Sequence, residues 1–492
     1  MKMIALAVAL TAACGHHGNG ASGDGGIGGG DGDGHGDGGG GGSGSGGGGG
    51  SGDGGGSGSG DGGGSGSGSM ACPGSTCALG LGTGLGAGNA LATDSHRNVY
   101  VAGYLQGALV LGGHTFTPVG NADGFVASFT SDGTFRWAHV FGYAMQYTLP
   151  NGLAIDANDD VYVLGQGWIV DFGGGHMTSG GGFVASFTPD GDLRWATSDP
   201  SFDPLGIATA GGHVYTTGLF NTTATWGTTT LPDTDPAYHG YVARFDPATG
   251  AAEWAHDLGE CGWARAIAAT ADGFAIAAQQ STMTLLATFT ATGTAGPSRV
   301  FSEINGGADG LRVDAAGTFY MTGRKFEVDD RMPGAPMPSD NTTSSYIATF
   351  PASFAPPNQP GWSWSLVESP GEVGGGIYEA VRSAWDPAGH LVLASSYSHL
   401  LYGDASGDAL GNNIPPYGSN LYMASFATDS TPLGAINPAP TGAWLLGNDF
   451  AIDSAGTRWI TGFYQGAANL GDGPLPQTVG TEEGFYVLRY QP

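Results

Sequence analysis

Phe125-Val-Ala-Ser-Phe129 is the first of seven copies of one phrase: a bulky apolar residue, an aliphatic one, a small one, a short polar or basic one, and an aromatic one. A short phrase that returns every 44 to 76 residues indicates a repeat architecture, in which each copy belongs to one supersecondary unit. The other copies are Phe183-Val-Ala-Ser-Phe187, Tyr241-Val-Ala-Arg-Phe245, Leu285-Leu-Ala-Thr-Phe289, Tyr346-Ile-Ala-Thr-Phe350, Tyr422-Met-Ala-Ser-Phe426 and Tyr486-Val-Leu-Arg-Tyr490.

Each copy lies in a larger unit of four short segments. Around the second copy these segments are Gly152-Leu-Ala-Ile-Asp156, Val161-Tyr-Val-Leu-Gly165, Phe183 to Phe187 and Leu193-Arg-Trp-Ala196. They are rich in β-branched and aromatic residues and are bounded by Gly, Asp, Asn or Pro, which is typical of antiparallel strands in tight succession. No segment shows sustained helical periodicity, so we expect few helices. Seven units of four strands predict an all-β fold, a seven-bladed β-propeller over residues 71–492.

The seventh unit ends at Pro492 without a fourth strand. Cys77-Ala-Leu-Gly-Leu-Gly-Thr83 precedes the first unit and is apolar enough to supply it, so we expect this N-terminal strand to close the ring and cover both edges. The fourth unit, around Ile267 to Val300, matches the pattern least well. If it is not a blade, the ring is six-bladed or irregular.

A recurring aspartate stands five residues before the first apolar residue of the second strand, and tryptophans follow the turn between the third and fourth strands. We interpret the aspartates as turn residues whose carboxylates accept hydrogen bonds from their own loops. In Asp156-Ala-Asn-Asp-Asp160 the oxygen ligands also have the alternate spacing of a calcium loop, but the sixth-place glycine and the distal glutamate are missing. We therefore expect no metal and no cofactor. The aspartates are Asp94, Asp156, Asp314, Asp386 and Asp453, and the tryptophans are Trp137, Trp195 and Trp254.

The run Val170-Asp-Phe-Gly-Gly-Gly-His-Met-Thr-Ser-Gly-Gly-Gly-Phe-Val-Ala-Ser-Phe187, followed by Asp190-Gly-Asp-Leu-Arg-Trp195, resembles the bacterial β-propeller repeat called SBBP. The resemblance is good over residues 88–258, fair over blades five to seven and poor over blade four. Proteins of that family are exported and lipid-anchored, mostly without known activity. The resemblance therefore implies a propeller at the cell surface and brings no catalytic residues with it.

Residues 1–13, a short charged head and an apolar run, resemble a bacterial lipoprotein signal that is cleaved before Cys14. An ordinary secretory signal cut near Ala13 is the alternative. Residues 14–70, almost entirely Gly, Ser and Asp, cannot bury enough apolar surface to fold, so we expect a disordered tether. Lipid on Cys14 would place the propeller at the outer membrane or cell surface, attached to the membrane through its N-terminus.

The domain after the tether is strongly acidic. Six of the 43 acidic and one of the 14 basic residues precede residue 71, which leaves 37 acidic against 13 basic. Such a surface repels phosphate backbones, so we expect no nucleic-acid partner, and we expect a monomer. In an exported chain Cys72 and Cys77 are candidates for a disulfide, while Cys261 is either a buried thiol or a partner of one of them.

The candidate ligand face is formed by the long loops between the second and third strands, because function on a rigid scaffold usually lies in such loops. Aromatic and carboxylate side chains suit a protein or polysaccharide ligand, although packing between blades explains any single aromatic residue equally well. We therefore expect a binding or scaffold module without catalysis. The alternative is a carbohydrate-active hydrolase or lyase with acidic residues at the mouth of the channel. The candidate residues are Trp168, Trp226, Tyr238, His239, Tyr417 and Glu482.

Overall fold

The structure is a computed structural model in which the described part of the chain is built of strands and turns. Within that part, no helix has the length and apolarity needed to cross a bilayer. Residues 65–492 belong to one compact unit, and all the described residues lie in it. The described residues are 76–79, 85–199, 201–232, 238–260, 262–270, 272–280, 283–301, 306–325, 344–351, 363–368, 381–397, 401–403, 408–409, 420–429, 431–438, 444–468, 470, 475 and 483–492.

Seven antiparallel sheets follow one another along the chain, each built on four strands that run from an inner first strand to an outer fourth strand. The fifth sheet is extended to six strands by the hairpin between the second and third strands of blade 6. The first strand of the chain is β1 (Thr76–Leu79). Blade 1 contains β2 (Gly86–Thr93), β3 (Val99–Leu105), β4 (Leu109–Leu111), β5 (His114–Phe116), β6 (Asp123–Phe129) and β7 (Phe135–Phe141). Blade 2 contains β8 (Thr148–Ile155), β9 (Val161–Gly167), β10 (Ile169–Asp171), β11 (Met177–Ser179), β12 (Gly182–Phe187) and β13 (Leu193–Asp199). Blade 3 contains β14 (Phe202–Ala210), β15 (His213–Phe220), β16 (Ala224–Trp226), β17 (Thr229–Leu231), β18 (His239–Phe245) and β19 (Ala252–Glu260).

The remaining four blades repeat this order. Blade 4 contains β20 (Gly262–Thr270), β21 (Gly273–Gln280), β22 (Met283–Thr290) and β23 (Ala295–Phe301). Blade 5 contains β24 (Gly306–Val313), β25 (Phe319–Lys325), β26 (Ser344–Phe350) and β27 (Ser363–Glu368). Blade 6 contains β28 (Arg382–Trp385), β29 (Leu391–Tyr397), β30 (Leu401–Gly403), β31 (Asp408–Ala409), β32 (Asn420–Phe426) and β33 (Pro432–Ile436). Blade 7 contains β34 (Trp444–Ile452), β35 (Arg458–Gln465) and β36 (Gly484–Tyr490).

The N-terminal strand closes the ring. β1 pairs antiparallel with β36, from Thr76 opposite Tyr490 to Leu79 opposite Val487, and becomes the outer strand of blade 7. The predicted closure is confirmed, with the paired strand beginning one residue earlier and ending earlier than the predicted segment. The ends of the chain thus meet in one sheet, and the edge of β36 is covered.

The fourth repeat is a complete blade. β20, β21, β22 and β23 pair in sequence order, so the fold is a seven-bladed β-propeller and the six-bladed alternative is wrong. A small residue replaces an aromatic one here: Ala275, fully buried in β21, stands where blades 1 to 3 have Tyr100, Tyr162 and Tyr215. The pattern was faint because packing in this blade uses smaller side chains.

The repeated phrase is the third strand of every blade, and its side chains point alternately to the two neighbouring blades. In β6, Phe125, Ala127 and Phe129 pack with Trp459 and residues of blade 7. Val126 points to the other side of the sheet and packs with residues of blade 2. Each sheet is therefore buried on both faces, which explains why the phrase is apolar at successive positions.

A hydrogen-bonded relay holds the ends of the strands together in the first blade. Asp94 accepts bonds from the backbone N–H of Asn98 at 2.7 Å and from the hydroxyl of Tyr100 at 2.9 Å. Arg136 on the fourth strand donates to the Tyr100 oxygen at 3.0 Å and to Ser128 of the phrase at 2.8 Å. The prediction that the recurring aspartates are turn residues is confirmed. Blade 2 repeats the relay with Asp156, Tyr162, Arg194 and Ser186.

The recurring tryptophans and turn glycines pack on each other between successive blades. Trp137 of blade 1 donates its indole N–H to the Pro189 carbonyl of blade 2 at 2.9 Å. Its ring covers Gly191, whose φ is +96°, and a Cβ there would lie 2.7 Å from the indole. Trp195 and Gly250 repeat the arrangement between blades 2 and 3. Only glycine fits this turn, both for its backbone conformation and for the space.

Candidate functional site

Two faces are defined by the antiparallel order of the strands. The turn face carries the short turns between first and second strands and between third and fourth strands. The loop face carries the longer second-to-third-strand loops and the connections between blades. Bridges from Ala122 to Tyr147 and from Gly142 to Asp171 join these two kinds of segment in blades 1 and 2. The two kinds of segment therefore lie on one face there.

The loops of blades 1 to 3 fold into small hairpins, β4–β5, β10–β11 and β16–β17. One side of each hairpin is packed against the scaffold, through Leu111, Val170 and Trp226. The hairpins are therefore fixed parts of the propeller, and only their outer sides are open to a ligand.

Two predicted ligand residues, Trp168 and Tyr238, are exposed. Trp168 directly precedes β10, and Tyr238 directly precedes β18, so both lie on the loop face. The structure thus leaves these two side chains available to a ligand.

Two other candidates, Trp226 and His239, are buried, and the expectation that they offer a surface to a ligand is wrong. Trp226 is 3% exposed, and its ring lies 4.8 Å from that of Tyr241. His239 is 6% exposed, with Nδ1 3.1 Å from both carboxylate oxygens of Asp257. The pattern Ala224-Thr-Trp-Gly227 matches Leu109-Val-Leu-Gly112, which was the available signal that Trp226 fills the buried side of a hairpin.

Several predicted features lie outside the described residues. They include the signal segment 1–13, the tether 14–70 and the side chain of Cys77, whose backbone is part of β1. They also include Cys14, Cys72, Cys261, Tyr417 and Glu482.

A group of exposed apolar side chains on the loop face was missed by the sequence analysis. Val119, Tyr143, Met145 and Met177 are exposed like Trp168, and all five lie in loop-face segments of blades 1 and 2 or in the connection between them. Met145 has φ = +61°, a left-handed conformation that is unfavourable for a residue with a long side chain. Tyr143 and Met145 lie in a connection between blades, a kind of segment that carries no repeat signal.

The turn face brings Ser95, His96 and Asp159 together, but their geometry is structural. The hydroxyl of Ser95 and His96 Nδ1 both bind the same oxygen of Asp159, at 2.7 and 2.9 Å. A nucleophilic triad needs the serine and the carboxylate on opposite imidazole nitrogens, so this is not one. The cluster joins the first turns of blades 1 and 2. Although burial acts in the opposite direction, the bonds from Ser95 and His96 lower the pKa of Asp159.

The acidic loop from Asp156 to Asp160 does not present its carboxylates to one point. Asp156 binds its own loop and Tyr162, Asp159 binds Ser95, and Asp160 pairs with Arg194 at 2.8 Å. Asp94 beside them already accepts bonds on both oxygens. These carboxylates accept bonds from protein donors, although one ligand atom each of Asp94, His96 and Asp159 lies within 4.8 Å of the other two.

The innermost strands are joined to each other by polar side chains at β-bulges. Asn89 donates to the Pro150 carbonyl at 2.9 Å, and Asn448 donates to the Gly88 carbonyl at 3.0 Å. Bulges let one residue of each strand point to the neighbouring blade. The register shifts by one residue at Asn89, Asn151, Leu205, Asp309 and Asn448.

The acidic residues on the innermost strands also have partners. Asp449 accepts the backbone N–H of Leu91 at 2.7 Å and lies 3.5 Å from Arg382, and burial raises its pKa. Burial likewise raises the pKa of Asp203, which Gln166 hydrogen-bonds. These groups link blades, and a catalytic role would have to coexist with that function.

Comparison with known proteins shows likeness at the level of fold. No protein-family model matches the chain, and no curated protein matches its sequence significantly. Similar solved structures include the Dos1 propeller, at 8% identity over 83% of this chain and 93% of that one, with a TM-score of 0.43. The WD40 repeats of RRP9 align at 9% identity over 85% and 97%, with a TM-score of 0.46. BamB from Moraxella catarrhalis aligns at 9% identity over 74% and 91%, with a TM-score of 0.36. The SBBP resemblance stays a prediction.

Proposed function

We propose that this protein is a non-catalytic binding propeller of the SBBP type, exported and anchored by lipid on Cys14 at the outer membrane or cell surface. It binds a protein or polysaccharide through its loop face. The observation that carries the proposal is the contrast between the faces: charged and aromatic groups on the turn face bind each other, whereas exposed apolar and aromatic groups gather on the loop face.

A shallow polar hollow beside blade 3 adds hydrogen-bonding capacity to the loop face. It is lined by Asp199, Ser201, Thr222, Thr223 and Thr225. Hydroxyl and carboxylate groups near an exposed aromatic ring suit a sugar as well as a peptide backbone. Both ligand classes therefore belong to the proposal.

Binding is tested with the purified full-length chain in glycan-array and protein pull-down experiments. The double substitution of Trp168 and Tyr238 by Ala should abolish most of the captured ligand. Leu433→Ser is the matched control, because Leu433 is an exposed apolar residue on the outer strand of blade 6. Equal capture by both variants would contradict the use of the loop face, and chemical conversion of a retained ligand would contradict the absence of catalysis.

Anchoring is tested separately by metabolic labelling with a radioactive fatty acid in a bacterial host. The wild-type chain should incorporate the label and sediment with membranes, whereas Cys14→Ser should remain unlabelled and soluble. Labelling of the Cys14→Ser variant would refute lipid attachment at this residue.

The second candidate function, a hydrolase or lyase, is favoured by the raised pKa values of Asp203 and Asp449, since perturbed carboxylates often mark active sites. Incubation with defined polysaccharides tests it by release of reducing or unsaturated ends. Activity that Asp203→Asn removes in a folded protein would support the enzyme, and no release from any polymer would count against it.

A further inference from the structure

We propose that the apolar surface where blades 1 and 2 meet on the loop face docks a cationic segment of a partner protein that also carries apolar side chains. We call this surface the Met-Trp patch. The inference rests on the proposed binding function and specifies its partner. The patch consists of Val119, Tyr143, Met145, Trp168 and Met177.

The five side chains come from three segments that are tied together by hydrogen bonds. Asn121 donates its backbone N–H to the Gln146 carbonyl at 2.8 Å and its side-chain amide to the Met145 carbonyl at 2.9 Å. Gly142 and Asp171 exchange backbone bonds of 3.1 and 3.2 Å. Met177 lies opposite Asp171 in the β10–β11 hairpin. The three segments that carry the patch are therefore joined into one part of the loop face.

The exposure of the patch exceeds what single surface residues show. Met145 is 80% exposed, Val119 69%, Trp168 63%, Met177 54% and Tyr143 40%. They are half of the ten large apolar residues that are exposed in the described chain. Isolated exposed apolar residues need no explanation, but a group of them indicates an interaction site.

The patch is held in place before any ligand arrives. Val170 of the hairpin is fully buried, and Phe172 stacks on Phe141 with ring centres 4.8 Å apart. Met145 is kept in a left-handed conformation that exposes its thioether instead of letting it pack. Backbone strain of this kind is maintained by the surrounding structure and often occurs at binding sites. A surface that is rigid beforehand also loses little conformational entropy on binding.

The chemistry of the patch favours a polypeptide over a sugar or a membrane. Sugar platforms are flat aromatic rings bordered by hydrogen-bonding groups, whereas Val119, Met145 and Met177 offer flexible aliphatic and thioether groups. Methionine adapts its shape to apolar side chains of a partner. Anionic lipid headgroups would be repelled, since binding to them relies on Lys and Arg.

The charge around the patch selects a cationic partner. The segments that build this part of the face, 106–122, 142–147 and 166–181, contain no Lys or Arg. The nearest charged groups in sequence are Asp171 and Asp123, whose carboxylate is buried and accepts the N–H groups of Val119 and Gly120. The propeller as a whole carries 37 acidic against 13 basic residues. The negative electrostatic potential of such a surface attracts positively charged segments and repels negatively charged ones.

The test uses the full-length chain and three short synthetic peptides of equal length, composed of Leu and Lys, of Leu and Glu, or of Ser and Lys. Titration calorimetry should detect binding of the Leu/Lys peptide only, with affinity that falls as salt increases. The double variant Met145→Gly with Trp168→Ser should weaken that affinity about tenfold or more. Glycine accepts the left-handed backbone at position 145, so the variant should melt at an unchanged or higher temperature.

Leu433→Ser, outside the patch, should bind the Leu/Lys peptide as the wild type does. Equal affinity for the Leu/Glu peptide, or no loss in the double variant, would overturn the inference. Capture of a polysaccharide or protein that survives in the double variant but is lost on changing Tyr238 would overturn the Met-Trp patch as the docking surface and leave the proposed binding function standing.

Discussion

The turn face and the loop face of blades 1 to 3 are the two ends of the same strands, yet they are composed differently. Toward the turn face each blade has an arginine near the turn between its third and fourth strands, Arg136, Arg194 and Arg244. Arg136 and Arg194 bind a tyrosine and a serine of their own blade, and Arg244 pairs with Glu253. The loop face at the junction of blades 1 and 2 has no Lys or Arg and exposes methionine, tryptophan and tyrosine instead.

The different composition of the two faces indicates that the turn face mainly stabilises the fold, whereas the loop face is available for binding. Side chains on the turn face are repeated because each blade needs the same turn, relay and tryptophan cover to join the next. Side chains on the loop face contribute less to the packing of the blades and are free to vary. Four substitutions or deletions test this division, from the largest expected effect to the smallest.

Deleting the strand that closes the ring affects both faces and should give the largest loss of stability. Deleting residues 71–80 removes β1 and leaves β36 as an open edge. Loss of this four-residue pairing should lower the free energy of unfolding by at least about 3 kcal/mol, since each lost hydrogen bond costs about 1 kcal/mol and the edge becomes exposed. Urea denaturation measures it, with deletion of residues 40–49 as the control that should have no effect. An unchanged midpoint after loss of β1 would refute closure by this strand.

Disrupting the hydrogen-bonded relay on the turn face should give the second-largest loss of stability. Arg194→Met leaves Asp160 without its ion pair and the buried hydroxyl of Ser186 without its donor. We expect a loss of about 2–4 kcal/mol in the free energy of unfolding. His176→Ala, in the loop-face hairpin of the same blade, should change it by less than about 0.5 kcal/mol because the side chain is exposed. Equal losses of unfolding free energy in the two variants would contradict the proposed difference in stability between the two faces.

Two glycines with similar backbone conformations compare the faces directly. Gly191 on the turn face has φ = +96° and lies under Trp137, whereas Gly113 in the β4–β5 hairpin has φ = +81° and open space around its Cα. Alanine at either position costs about 1 kcal/mol for the backbone. Gly191→Ala should cost about 1–2 kcal/mol more because the added methyl meets the indole. Thermal denaturation of both variants measures the difference in stability. Equal melting temperatures would show that the Trp137 side chain moves aside at little cost.

The smallest effect concerns Glu483, a partly buried acid on the loop face. Burial raises the pKa of Glu483, and the hydroxyl of Tyr104 donates to its carboxylate at 2.8 Å. Because the folded pKa exceeds the unfolded one, wild-type stability should rise as pH falls through the folded value and level off below about 4.5. Glu483→Gln keeps an acceptor for Tyr104 without the charge, so it should be more stable than the wild type at pH 8 by a margin that shrinks toward low pH.

The control for the pH experiment is Leu433→Ser, which adds and removes no titratable group. Its stability difference from the wild type should stay nearly constant over the same pH range. A parallel pH dependence in both variants would show that Glu483 is not responsible.

The fold was predictable because it is encoded in local pattern. The phrase at Phe125 to Phe129, the turn aspartates and the spacing of the units all follow from pairing and turn chemistry, and the missing fourth strand pointed to the residues before blade 1. The candidate site was predictable only in part. Trp168 and Trp226 are both tryptophans of second-to-third-strand loops, and only the match of Ala224–Gly227 with Leu109–Gly112 indicates that Trp226 is the buried one.

The sequence by itself therefore determined the strand order within a blade and the identity of the scaffold residues, and it predicted seven blades while leaving the fourth one open. These depend on interactions between residues that are close in the chain and repeat from unit to unit. Only the tertiary structure decided which loop side chains are exposed and that the segments carrying Met145, Trp168 and Met177 are joined. Those positions depend on contacts between different blades, such as the bridge from Gly142 to Asp171, and contacts between distant segments leave no periodic signal in the sequence.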